Sequence, residues 1–565
     1  GDQAAIDRSA WEVFRVTGVA HLMSISGLHV TLLGVLVSRL LAALWRRSAR
    51  WGWVWALHWP APWVSAWGGW AVACAYALFS GWGVPAQRTV WMLGVVTLLR
   101  WQARHWPAAL VWATAGMVVM VLDPWALLQP GFWLSFVAVG VLMLTGTGAV
   151  QAGAHPAGAM RALLVRAWGL WREQWVISLA LAPLGLLFFG QLSLAGLLAN
   201  LVAIPWVSVL VTPLALLGVL WPAAWHLAAA LLEPLMTGLT WLASWPLASL
   251  RLAMPPWPLA ALATAGAALC CLPWPLAWRL WGAMALLPAL LWQTPRPAPG
   301  VFELLAADVG QGNAVLVRTA RHTLLYDAGP RYSPESDAGH RVLVPLLAQS
   351  NEALDVLMLS HRDSDHTGGA AAVLSMQPQA QLWSSLEAAH PLAQRPGHVP
   401  CEAGQRWAWD GVQFEVLHPL PHTLPDTQAD APAPKPNALS CVLRVQGAGA
   451  SALLAGDIEA AQERELLARG LSPVDWLLVP HHGSKTSSTA DFLDALQPRM
   501  ALAQAGYRNR FGHPAPGVVQ RYLSRGVQWL RSSHCGAALW RSDQPEKVHC
   551  EREATRRYWR HVPEP

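Results

Sequence analysis

The sequence predicts a chain of two unlike halves, a polytopic α-helical membrane domain followed by a layered α/β domain. Three observations lead there. The 565 residues are 54% hydrophobic and only 13% charged, where an ordinary soluble domain carries about 25% charge. That charge is unevenly spread: residues 1–296 hold six acidic residues, fifteen arginines and no lysine, whereas residues 297–565 hold 27 acidic and 24 basic residues. Between them lies "TPRPAPG", a proline-rich linker over 294–300. The domains read as 1–293 and 301–565. The net charge of +6 and the mean hydropathy of +0.31 thus reflect the first half.

A spanning helix needs about 20 apolar residues. Apolar runs at 17–42, 63–82, 86–100, 107–122, 131–149, 174–190, 193–219, 224–248, 257–277 and 280–293 predict about eight to ten spans. Three arginine groups fall between them: Arg46, Arg47 and Arg50; Arg100 and Arg104; Arg161, Arg166 and Arg172. If pairs of spans form hairpins, these groups share one face, which the positive-inside rule makes cytoplasmic. The arginines could also line a path for a polyanion. Polar residues inside apolar runs either join helices by hydrogen bonds or line a conduit. They are His21, Ser24, Ser26 and His29 in "HLMSISGLHV", Gln87 and Arg88 in "GVPAQRTVWM", and Gln191 and Asn200 in the run at 190–218. Pro205 and Pro213 in that last run predict kinked or broken helices. The chain opens on Gly1 rather than methionine, and the expectation is that an upstream part is missing.

In the second half the pattern changes to short strands broken by Gly and Asp: "FELLAADVG", "AVLVRT" and "HTLLYDAG". "VLVPLLAQ" and "AAAVLSMQ" read as helices. "DVLMLS", "SALLAGD" and "DWLLVPHHGS" are apolar strands with polar residues at their ends. The segment 419–437, rich in Pro, Ala and Asp, reads as a loop without core content. Strands alternating with helices predict layers, with the chemistry on loops at strand ends.

Of seven cysteines, Cys74, Cys270 and Cys271 lie in apolar runs as small packing residues. Cys401, Cys441, Cys535 and Cys550 lack metal-knuckle spacing and allow three disulfide pairings, of which Cys535–Cys550 suits a terminal hairpin. Disulfides would imply an oxidising compartment.

The chemistry concentrates at strand ends. His361, Asp363, Asp365 and His366 in "LSHRDSDHTGG" follow one strand, flanked by Gly368 and Gly369; Asp457 ends "LLAGD"; His481 and His482 end "VPHHGS"; His513 sits in "FGHPAP". Four potential ligands within six residues, joined by a carboxylate able to bridge, predict a centre for two divalent ions. Two such ions polarise a phosphoryl oxygen and generate hydroxide at neutral pH. Asp363 stands where histidine is common, and carboxylate-rich sites lean toward manganese or magnesium over zinc. Ser484, Lys485, Thr486 and Ser487 could hold phosphates, although an exposed lysine is as often simply solvated. His418 in "LHP" could add a ligand, but a histidine buried beside a strand end is the simpler reading.

With these motifs in hand, the second half resembles a metallo-β-lactamase-like αββα sandwich. The first half, with "HLMSISGLHV", "PGFWLSF" and "NLVAIPWVSVLVTPL", is similar to the competence domain of the ComEC/Rec2 family of DNA-internalisation proteins. "DVGQGNAVLV", "LLYDAG", "SHRDSDHTGG", "LLAGDIE" and "HHGSKTSS" extend the resemblance over nearly the whole chain. Family members usually begin with further membrane and OB-like sequence. The resemblance implies an inner-membrane channel for single-stranded DNA and a metal-dependent nuclease, on the periplasmic side, degrading the other strand. It implies a periplasmic DNA receptor and a cytoplasmic helicase-like protein as partners. It carries metal ligation to His361, Asp363, Asp365, His366, Asp457 and His481, catalytic roles to Asp365, Asp457 and Lys485, and phosphate contact to His482, Ser484, Lys485 and His513. Asp308 and Asp327 would support the ligands, and His29, Gln87, Arg88, Gln191 and Asn200 would line the channel. Asn313 departs from the family, which often has Asp there. Two other functions stay open: a channel whose second domain only binds DNA, and a membrane-anchored hydrolase of other phosphodiesters without transport.

Overall fold

The computed structural model describes residues 6–23, 27–48, 55–102, 106–145, 159–421 and 435–559. Two compact units result, Gly1–Gln293 and Thr294–Pro565.

Among the described residues the first unit is helical apart from one short antiparallel strand pair, Gln191–Ser193 with Ser249–Arg251. Its long helices are Gly27–Ser48, Ala61–Phe79, Val84–Trp101, Ala108–Leu122, Pro130–Thr145, Ala159–Phe189, Ala223–Ala243, Trp257–Cys271 and Leu276–Leu290. Proline in or just before the first turn starts several of them, where its missing N–H costs nothing. Glycine lets helices meet closely. A Cβ on Gly69 would lie 2.7 Å from the Gly34 carbonyl, so Gly27–Ser48 and Ala61–Phe79 touch backbone to backbone. Among the described residues, Gly27–Ser48, Ala167–Phe189 and Gly196–Leu217 are long and apolar enough to cross a membrane, and four further apolar helices are shorter.

Some elements differ from their expected bounds. The first apolar run does not become one helix from 17: Gly18 turns at φ +68°, a 3₁₀ turn covers Ala20–Leu22, and the helix starts at Gly27. The sixth helix begins at Ala159, well before 174. Gln191 lies on the short strand Gln191–Ser193 rather than in a helix. Pro205 and Pro213 do not interrupt their run, which stays helical over 196–217 but passes through a π-helical stretch, Trp206–Val211, between Gly196–Pro205 and Thr212–Leu217. The wider π turn takes up the register that the missing amide hydrogens disturb. Arg50, Arg104, Ser24, Ser26 and most of the loop at 419–437 lie outside the described residues.

The second unit is a four-layer sandwich. One sheet has eight strands in the order Val399–Pro400, Gln381–Ser384, Val356–Leu359, Thr323–Tyr326, Val315–Arg318, Glu303–Ala306, Ala538–Arg541, Val548–Cys550. The other has seven, in the order Arg406–Trp409, Val412–His418, Val442–Gln446, Ser451–Leu454, Trp476–Leu478, Met500–Ala503, Gln528–Arg531. Their inner faces share one core containing Leu304, Val317, Tyr326, Met358, Phe414, Leu443, Trp476 and Leu502. The outer face of the first sheet packs on Leu347, Val373 and Leu374 of its helices. The outer face of the second packs on Leu466, Phe492, Leu493 and Tyr522. Strands buried on both faces explain the continuous apolar runs in the sequence. The Cys535–Cys550 disulfide closes beside the terminal hairpin, and Cys401–Cys441 is also formed.

Candidate metal centre

Three strand ends deliver the site. Val356–Leu359 ends at Ser360 and His361, and the chain then makes the short helix Ser364–Thr367 that turns Asp365 and His366 inward. Gly368 allows the tight exit, since a Cβ there would lie 2.2 Å from the Arg331 amide nitrogen. Ser451–Leu454 ends at Ala455, Gly456 and Asp457. Gly456 sits at φ +55°, with space for a Cβ only 3.0 Å from Ser360 and from the Tyr326 hydroxyl. Trp476–Leu478 ends in the turn Pro480–Gly483, where His481 and His482 take φ of 50° and 53°. Left-handed backbone at successive non-glycine residues is strained and clusters at functional sites.

Each of the three innermost imidazoles has one nitrogen committed. His366 Nδ1 donates to Asp327 Oδ2 at 2.7 Å. His482 Nδ1 donates to the Gln504 carbonyl at 2.8 Å. Ser360 Oγ donates to Asp327 Oδ2 at 2.9 Å and so accepts from His361 Nδ1 at 3.0 Å. In each case the lone pair is left on Nε2, the arrangement that orients a ligating histidine. These three Nε2 atoms and Asp457 Oδ1 are buried and have no hydrogen-bond partner. They are also close. His366 Nε2 lies 3.3 Å from Asp457 Oδ1, and His482 Nε2 lies 3.3 Å from Asp365 Oδ2 and 3.5 Å from Asp457 Oδ2. Buried, unpaired acceptors facing one another are costly unless a cation joins them. The donor set therefore fits a divalent metal. The groups able to hold one are His361, His366 and Asp457, and Asp365, His366 and His482.

The electrostatics agree. Burial pushes the Asp457 carboxyl up, but the His366 and His482 imidazoles hold it well below the usual range. Asp365 is likewise raised by burial, then brought down to about 2 by His482 and His366. Burial lowers His366, yet Asp457 and Asp327 raise it well above the ordinary value. The field of the carboxylates dominates and favours positive charge in the pocket.

The geometry differs from the sequence reading at His481 and Asp308. His482, not His481, belongs to a ligand group. His481 is half-buried at the rim, its Nδ1 3.2 Å from Thr486 Oγ1 and its Nε2 3.8 Å from Asp457. Asp308 does not support the cluster, because its carboxylate is bound by Arg552 at 2.8 Å. His418 is buried beside its strand, with Nδ1 on the Ser440 carbonyl. Asp363 stands at the rim, its Oδ2 3.5 Å from His361 Nε2 and its side chain 46% exposed. Ser484 is buried, Lys485 is exposed, and the His513 ring centre lies 5.6 Å from that of His481. Sequence reasoning missed Ser360, Ser440 and Gln504. Ser440 Oγ accepts from the Asp457 amide at 3.1 Å, and the Gln504 side chain also accepts from the Ala314 amide.

Comparison with known proteins matches residues 1–279 to the family described as "Competence protein" and residues 307–505 to the "Metallo-beta-lactamase superfamily". Competence protein ComA of Neisseria gonorrhoeae is 37% identical, over 95% of this chain and 72% of its own length. The Escherichia coli protein YcaI is 32% identical, over 95% of this chain and 68% of its own. Recombination protein 2 of Haemophilus influenzae is 29% identical, over 92% and 68%. The chain belongs to the ComEC/Rec2 family of competence proteins. The metallo-β-lactamase fold of its second unit implies divalent metal binding and suggests a metal-dependent hydrolase, and the helical unit fits a membrane protein.

The five polar residues singled out in this competence protein's first unit are placed separately. His29 is buried with Nε2 3.4 Å from Ser208 Oγ in the π-helical stretch. Gln87 donates to the Trp82 carbonyl at 2.7 Å and so fastens the turn before its helix. Arg88 is 5% exposed, with Nε and Nη1 unpaired. Gln191 Nε2 and Asn200 Oδ1 are buried without partners. No hydrogen bond or ion pair among the described residues links any two of the five.

Proposed function

We propose that this protein takes up DNA during natural transformation at the bacterial inner membrane, its helical unit admitting one strand and its second unit hydrolysing the other. The observation carrying the hydrolytic part is the convergence of unpaired Nε2 atoms of His361, His366 and His482 on Asp457 and Asp365. Divalent ions held there supply charge to polarise a phosphodiester and to activate water. His361, His366 and Asp457, together with Asp365 and His482, would hold the ions, with Asp363 beside His361 at the rim. The share of carboxylates favours manganese over zinc. Asp365 and Asp457 set the charge at the reacting diester, while Lys485, His481 and His513 hold its phosphate oxygens from the rim.

Family membership supports the DNA-uptake role, since its relatives carry the names competence protein and recombination protein. Two disulfides in the second unit favour an oxidising compartment and hence the periplasmic side. A periplasmic DNA receptor would deliver the substrate and a cytoplasmic helicase-like protein would draw in the strand. Buried, unpaired polar atoms on Arg88, Gln191 and Asn200 support a polar path through the helical unit. The test is degradation of single-stranded DNA by the purified full chain with Mn²⁺, Mg²⁺ or Zn²⁺, against Asp457→Ala. Degradation should depend on metal and vanish in the variant. Hydrolysis of small diesters alone would favour a membrane-anchored hydrolase without transport.

A further inference from the structure

We propose that the loop at 506–515, "GYRNRFGHPA", is a platform on which the bases of a single nucleic-acid strand stack while its arginines hold the adjoining phosphates. This inference rests on reading the neighbouring cluster as a phosphodiesterase site. The loop leaves the strand Met500–Ala503 and ends at the helix Pro516–Leu523. It has two arginines and no acidic residue.

Its large side chains face outward, against the ordinary cost of exposing aromatic surface. Phe511 is 53% exposed and Tyr507 42% exposed. Arg510 lies over the Phe511 ring at 4.8 Å and Arg508 over the Tyr507 ring at 5.2 Å. Exposed aromatic rings beside arginines are the means by which single strands are bound without sequence preference, because every base has a face to stack and every linkage a charge to neutralise.

The platform is continuous with the candidate metal centre. The Phe511 ring lies nearly parallel to His513, at 5.7 Å and 23°, and His513 nearly parallel to His482, at 6.4 Å and 22°. The three rings thus run from Phe511 through His513 to His482 at the cluster.

The loop is also held in shape. The Asn509 side chain accepts from the amides of Phe511 and His513 and donates to the carbonyls of Gly506 and His513. The Gly506 amide donates to Gln311 at 3.2 Å, tying the loop to the first sheet's side of the unit. Such internal fastening serves recognition because a preorganised surface loses little freedom when a ligand docks.

The test is local photocrosslinking with the full chain in lipid nanodiscs, using an oligonucleotide that carries 5-iodouracil, in Mn²⁺ and in EDTA. Irradiation should attach the oligonucleotide to the peptide containing Tyr507 and Phe511. Phe511→Ala should cut that yield about 5- to 100-fold while leaving the thermal shift on adding Mn²⁺ unchanged. Abasic sites flanking the iodouracil should weaken its binding to the wild type more than to the variant. Crosslinking only elsewhere, or undiminished crosslinking in the variant, overturns the proposal. Wild-type crosslinking at the loop without any DNA cleavage would sink the nuclease reading and leave the platform standing.

Discussion

His481 and His482 are neighbours in the chain, yet only one enters a ligand group. Both adopt left-handed backbone, and the choice is made by the Gln504 carbonyl, which takes Nδ1 of His482 and leaves its Nε2 facing Asp365 and Asp457. His481 is drawn aside to Thr486. His482→Ala should therefore weaken Mn²⁺ binding at least about tenfold, and His481→Ala much less, by calorimetric titration. Equal losses would reject the distinction. Asp327, which binds the Ser360 amide, the Ser360 hydroxyl and His366, should matter through orientation. Asp327→Ala should lower Mn²⁺ affinity by about 10- to 100-fold. At this scale the sequence reveals residue types, and long-range partners decide roles. Strand-end His and Asp were legible. The turn of His482 depends on a carbonyl 22 residues away, and the fate of Asp308 on Arg552, 244 residues away.

At the scale of elements, what could be read was whatever period and breakers dictate. The doubly buried strands Val315–Arg318, Thr323–Tyr326 and Val356–Leu359 are continuous apolar runs, and they were legible for that reason. Arg406–Trp409, at an edge with alternating exposure, has no such run and is held by pairing with Val412–His418. The helical runs were legible, but their ends were not wherever a turn depends on a distant contact, as at Gly18 against Ser193. Close helix contact makes a sharp prediction. Gly69→Leu must push apart Gly27–Ser48 and Ala61–Phe79, because even its Cβ would sit 2.7 Å from a backbone carbonyl. Detergent-solubilised protein should unfold at a lower temperature by differential scanning fluorimetry, by an amount matching a loss of roughly 1–3 kcal/mol. In the second unit, Phe492→Ala should cost about 3–5 kcal/mol, since the ring is fully buried against the outer face of the seven-stranded sheet.

For the whole molecule, the two units obey different solvents. The first carries many exposed large apolar side chains, including Leu36, Val121, Leu220 and Trp257, as a surface facing lipid would. The second buries its apolar residues in three core clusters. Asp363, the residue that departs from the usual histidine, stands at the rim of that cluster beside His361 and adds a carboxylate to a site already rich in them. The central claim is that this cluster destroys one strand while the helical unit admits the other. The direct measurement uses a transformable host relying on this protein for uptake, fed duplex DNA with a different radiolabel on each strand. Wild-type cells should retain one label internally and release the other outside as small fragments. Asp457→Ala cells, with the protein at normal abundance in the membrane, should release none. Undiminished release by that variant would contradict the account.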